Sequence, residues 1–152
     1  MSRDQQRLVD YLGHIAQAIE RIDRYTRDID EAEFLNHDLV QDAVIRNVEI
    51  IGEASNKILT YYPEFAAAHP ELPLSFAYQM RNAVAHGYFK VDFEIVWRTI
   101  HRDLPGLYER VRSLVDHPQA PPAADVAKKS PASGGARRVP ESDFEETRGD
   151  NS

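Results

Sequence analysis

An all-α fold follows from three observations. Apolar residues recur at three- and four-residue steps along most of the chain, no stretch sustains the two-residue alternation of a strand, and the breaks between periodic stretches are mostly short. The predicted architecture is an antiparallel bundle of four main helices followed by a tail of different composition.

Each element has its own reason. Leu8, Leu12, Ile15, Ile19 and Ile22 line one side of a helix from about Asp4 to Tyr25, and a short helix is expected around Glu31 to Leu35. Leu39, Val40, Val44, Val48, Ile51 and Ile58 define a long helix from about Asp38 to Thr60, with Asn36, His37 or Asp38 available to cap it. Tyr61-Tyr62-Pro63 ends that helix, because the residue before a proline resists the α conformation, and Glu64 to Ala68 is left for one loose turn. The next helix follows Pro73 and runs to about His86, with Phe76, Ala77, Met80 and Val84 on its apolar side and Gly87 suited to the left-handed position beyond its end. Asp92 caps a last helix whose stripe is Val96, Trp97, Ile100, Leu104, Leu107, Val111 and Leu114, and Pro105 should kink or split it near Asp103.

Composition bounds the functions available. A chain of 152 residues, 42% of them hydrophobic, is long enough for one domain with a core and too short for two comfortable ones. It has no cysteine, hence no disulfide, no thiolate nucleophile and no cysteine-held metal, which fits a reducing cytoplasm. The first residues, MSRDQQRLVD, are charged, and no apolar stretch approaches the roughly 18 residues that a membrane span requires, so a soluble, cytoplasmic protein is expected. Residues 1–116 read as the helical domain. Beyond them, 117–152 is dense in Pro, Ala, Ser, Gly and mixed charge with Phe144 its only aromatic, so a disordered tail is expected. Its basic pairs, Lys128-Lys129 and Arg137-Arg138, read as solvated linker and not as an RNA-binding arm.

The chemistry concentrates in Arg81-Asn82-Ala83-Val84-Ala85-His86-Gly87-Tyr88. Arginine offers phosphate a planar fork of donors, and histidine moves protons near neutral pH, so the pair suits metal-free cleavage of RNA. Asn82 and His86 stand four residues apart on one helix face, where the amide can hydrogen-bond the imidazole and fix its tautomer. Arg81 and His86 are five apart and therefore diverge by about 140° around the axis, a poor arrangement for gripping one phosphate within a single helix. A two-fold dimer resolves this by letting the arginine of one chain face the histidine of the other. Singly, each residue has a plainer account: a solvated cation, a charge at a helix C-terminus, a half-buried aromatic. The combination in one short stretch points to a site.

Charge limits how such a site could be used. The net charge is −7, and residues 1–116 carry 13 Lys and Arg against 19 Asp and Glu, so any RNA contact must be a local patch. A second constellation, Asp42, Arg46, Glu49 and Glu53, lies along one side of the long helix. It reads as an exposed stripe laced by ion pairs, or, more pointedly, as a source of Glu49 or Glu53 to support Arg81 from a neighbouring helix. No histidine falls at ligand spacing beside these carboxylates, so no metal and no cofactor are expected. His14, His37, His69, His101 and His117 are scattered and read as surface or capping residues.

These residues resemble the HEPN superfamily and, within it, the HepT-like toxins of toxin–antitoxin pairs. The likeness rests on the Arg-x4-His-x-Tyr motif of Arg81, His86 and Tyr88 with Asn82 after the arginine. It is reinforced by DAVIRNVEIIGEASNKI at 42–58, HGYFKVDFEIVW at 86–97 and DLP at 103–105, and spans about 4–115. The resemblance implies an all-α homodimer and a metal-independent endoribonuclease with a composite site in the dimer cleft. By it, His86 serves as general acid or base, Arg81 stabilises the phosphorane, Asn82 orients His86 and Tyr88 contacts phosphate or base. It also implies a minimal nucleotidyltransferase as antitoxin, which neutralises the toxin by transferring AMP to Tyr88. The alternative is a non-catalytic HEPN dimer that binds a nucleotide or that partner protein.

Overall fold

A computed structural model describes residues 2–86 and 91–117. Among them the chain forms seven helices and no strand: α1 (Arg3–Thr26), α2 (Glu31–Leu35), α3 (Asp38–Tyr61), α4 (Pro63–Ala68), α5 (Leu74–His86), α6 (Phe93–Arg102) and α7 (Leu104–Asp116). Gly87, Tyr88 and all but the first residue of the expected tail lie outside the described residues.

Local chemistry sets most boundaries. The Ser2 hydroxyl accepts from the Gln5 N–H at 3.1 Å while the Gln5 side chain accepts from the Ser2 N–H at 3.0 Å, a reciprocal cap that starts α1. Asp30 and Glu33 repeat the device at α2. Of the three candidates for capping α3, His37 does so, accepting from Val40 N–H at 3.4 Å. The loose turn expected after the Tyr-Tyr-Pro stop is a short helix, because Pro63 itself supplies the first helical position, where no N–H is needed. At the other proline, α6 ends at Arg102 and α7 begins at Leu104, so the last predicted helix is split at Asp103.

The long helix α3 is the centre of the bundle, packed on α1 and on α5, while α7 lies against α1. Its Val44 and Ile58 are fully buried, as are Ile15 of α1 and Val111 of α7. Phe34 anchors α2 by meeting Phe93 edge-on at 5.9 Å and Trp97 at 5.2 Å, which fixes where α6 begins. One expectation fails on α5: Phe76 is 40% exposed and Met80 only half-buried, while Leu74, Ala77 and Val84 are buried. The buried stripe of α5 is rotated away from Phe76 and leaves Met80 at its edge.

Two tyrosine hydroxyls tie distant parts of the bundle together. Tyr108 of α7 donates to the Glu20 carboxylate on α1 at 2.7 Å, and Tyr62 donates to the Asp4 carbonyl at 2.9 Å. Both phenols are held above their ordinary ionisation range. For Tyr108 the hydrogen bond to Glu20 is the main cause and burial the second, and for Tyr62 burial comes first, reinforced by Asp4. A raised folded-state value means that the stabilisation is complete below the ordinary tyrosine range and is lost as pH climbs beyond it through the raised folded-state value. The free energy of unfolding, followed by denaturant titration, should therefore fall as pH rises past about 10, and Tyr108→Phe should flatten that fall. A stability flat across this range in the wild-type protein would refute the linkage.

Candidate active site

The buried residues of α5 are spaced so that a position is missing. Leu74, Ala77 and Val84 belong to a series of three- and four-residue steps whose remaining member is residue 81, and that residue is arginine. Arg81 thus leaves its helix within the seam that faces α3. What allows this is Gly52, buried on α3 directly opposite. A Cβ placed on Gly52 would collide with Arg81 Cβ and lie 2.8 Å from Arg81 Cγ and 2.9 Å from the Ala77 carbonyl oxygen. The apolar stem of the arginine fills the space that a side chain at 52 would take.

From that notch the guanidinium emerges at the edge of the seam. Its Nη2 donates to Glu53 at 3.2 Å and its Nη1 to the Asn82 amide oxygen at 3.1 Å, with the Arg81 side chain 28% exposed and that of Glu53 54% exposed. Arg81 Nε is buried and has no hydrogen-bond partner among the described residues. The stem is buried while the head reaches solvent, which is how a long cationic side chain avoids the cost of full desolvation. An ion pair this exposed contributes about 0–1 kcal/mol, so its consequence is orientation more than stability.

The other expected residues fall less tightly together. Glu53 is the member of the α3 constellation that reaches Arg81. Asp42 and Arg46 are exposed, Glu49 is half-buried, and no ion pair among the described residues joins these three. The expected laced stripe is therefore absent there, consistent with the few tenths of a kcal/mol that a solvated pair one helical turn apart would contribute. His86 is exposed at the last position of α5. The expected Asn82–His86 bond is not present among the described residues; the Asn82 amide oxygen accepts from Arg81. Tyr88 lies outside the described residues. Among the described residues no group of three or more His, Asp or Glu side chains is placed to hold a metal ion.

Gly52 stands within the 42–58 stretch with no side chain to mark it as part of a site. Two signals pointed to it: an isolated glycine inside a 24-residue helix, where it costs about 1 kcal/mol relative to alanine, and an arginine in register with an apolar stripe.

A model of the HepT-like ribonuclease family matches residues 15–114. The chain belongs to this family. Among curated relatives of the HepT-like chain, one from Thermococcus cleftensis named "Probable ribonuclease HepT" is 43% identical over 69% of this chain and 93% of its own length. A "Putative RNase" of Methanocaldococcus jannaschii is 34% identical over 66% of this chain and 90% of its own, and one of Caldanaerobacter subterraneus is 31% identical over 69% and 91%. No solved structure matches the chain significantly.

The weak coupling of the Arg81–Glu53 pair to stability is open to measurement. Glu53→Gln should lower the unfolding free energy by less than about 1 kcal/mol, whereas Ile58→Ala, which empties a fully buried site, should cost about 2–5 kcal/mol. A Glu53 variant as damaging as the Ile58 variant would show that the pair holds the fold.

Proposed function

We propose that this HepT-like chain is a metal-independent endoribonuclease that acts as the toxin of a type VII-like toxin–antitoxin system in the cytoplasm. The observation that carries the reading is the cation at the α3–α5 seam, held by Gly52, Glu53 and Asn82, on the same helix as an exposed terminal histidine. Membership of the family and the names of its relatives support ribonuclease chemistry.

In this mechanism the 2′-hydroxyl of the substrate attacks the adjacent phosphorus. His86 transfers the proton as general base or acid, and the P–O5′ bond breaks to leave a 2′,3′-cyclic phosphate and a 5′-hydroxyl. Arg81 stabilises the charge that develops on the phosphorane oxygens, its donors already oriented before substrate arrives. Asn82 and Glu53 hold the guanidinium in place. Because Arg81 and His86 point apart on one helix, each site takes its arginine from one protomer and its histidine from the other, and the active form is a homodimer. Control comes from a minimal nucleotidyltransferase antitoxin that transfers AMP from ATP to the Tyr88 hydroxyl, with pyrophosphate as the leaving group. The added nucleotide fills the groove and its negative charge repels RNA.

Purified protein should cleave RNA in the presence of EDTA. His86→Ala should slow cleavage by about 10²–10⁴-fold, and Arg81→Ala by about 10²–10³-fold, with helical content unchanged by circular dichroism. Full cleavage by both variants would overturn the site, and RNA or nucleotide binding without cleavage by the wild-type chain would favour a non-catalytic HEPN dimer.

A further inference from the structure

We propose that Gly52 is a positioning residue for the RNA-cleaving site, acting solely through Arg81. The inference rests on the reading of Arg81 as the residue that stabilises the phosphorane. Gly52 itself touches no substrate: it is buried in α3 and faces α5. Its contribution is an absence of side chain at the one point where the stem of Arg81 crosses α3.

The geometry leaves little room for adjustment. The atoms that an added methyl would meet are Arg81 Cβ and Cγ and the Ala77 carbonyl oxygen, whereas ordinary contact lies at 3.4–4 Å. Backbone and Cβ atoms cannot swing aside as the far end of a flexible side chain can. A methyl at 52 must therefore push α5 away from α3 or turn Arg81 out of the seam, and either movement separates the guanidinium from Glu53 and Asn82. The buried, unpartnered Nε lies on the same stem, just beyond the carbons that meet Gly52, and its desolvation is a cost that accompanies a fixed side chain. Gly13 of α1 provides a matched comparison, since a Cβ there meets nothing within 4 Å. Both substitutions to alanine carry the same gain in helix propensity, so any difference between them isolates the notch.

The test combines kinetics with a direct view of the arginine. Gly52→Ala should lower kcat for RNA cleavage by about 100-fold, as displacement of a catalytic group by roughly 1 Å does, with a much smaller change in KM. Gly13→Ala should leave both unchanged. The double variant Gly52→Ala/Arg81→Ala should cleave no more slowly than Arg81→Ala alone, because Gly52 has no other route to the chemistry. Wild-type kcat in Gly52→Ala, or additive losses in the double variant, would overturn the proposal. A nitrogen-15 spectrum gives a readout independent of activity. The Arg81 Nε–H should exchange slowly with solvent in the wild-type protein and become fast or shifted in Gly52→Ala. Fast exchange in the wild-type protein would refute the notch even if the variant failed to fold. If Arg81→Ala cleaved like wild type while the Nε–H behaved as expected, the catalytic reading would fall and the seating of Arg81 would stand.

Discussion

The close crossing of α3 and α5 at Gly52 is the constraint on which the rest of the site depends. A cation on the buried stripe of a helix would ordinarily be expelled or would split the interface, since an isolated charge is costly to desolvate. Here the glycine accepts the methylenes of Arg81 in place of an apolar residue, and the charge surfaces at the edge between Glu53 and Asn82. The same contact that packs the two helices thus aims a guanidinium. Packing and chemistry share one set of atoms.

This arrangement accounts for how an acidic domain could handle a polyanion. With 19 acidic against 13 basic residues in 1–116, the surface as a whole gives little attraction to RNA. A single oriented guanidinium does not need to supply affinity. Under the proposed function it needs only to be in place when charge builds up on the phosphorane oxygens, and a preorganised donor is worth most at that moment. Glu53 holds one side of the guanidinium and leaves N–H donors on it unoccupied.

Much of the fold was legible because periodicity and caps carry it. The stripe from Leu8 to Ile22, the stop at Tyr62-Pro63 and the break forced by Pro105 each have a local cause, and each appears where that cause stands. The rotation of α5 was not legible from hydrophobicity, because the stripe that packs contains Arg81 and leaves Phe76 exposed. Only the surface opposite, with Gly52 in it, explains the choice. The partner of Asn82 was obscured for a similar reason. Helical spacing showed that it could reach His86, but the path of Arg81 across α3 depends on tertiary packing. Asp42, Arg46 and Glu49 share a stripe with Glu53 in the sequence, yet only Glu53 lies next to the notch.

Under the proposed function, Arg81 and His86 complete each other across two protomers. A mixed dimer isolated through two different tags, with Arg81→Ala in one protomer and His86→Ala in the other, tests it most directly. If the site is shared, one of the two clefts regains both residues, and RNA cleavage should return to roughly half that of the wild-type dimer although each parent dimer is slowed at least about 100-fold. If each protomer builds its site from its own arginine and histidine, the mixed dimer will cleave as slowly as its parents, and the shared site is refuted.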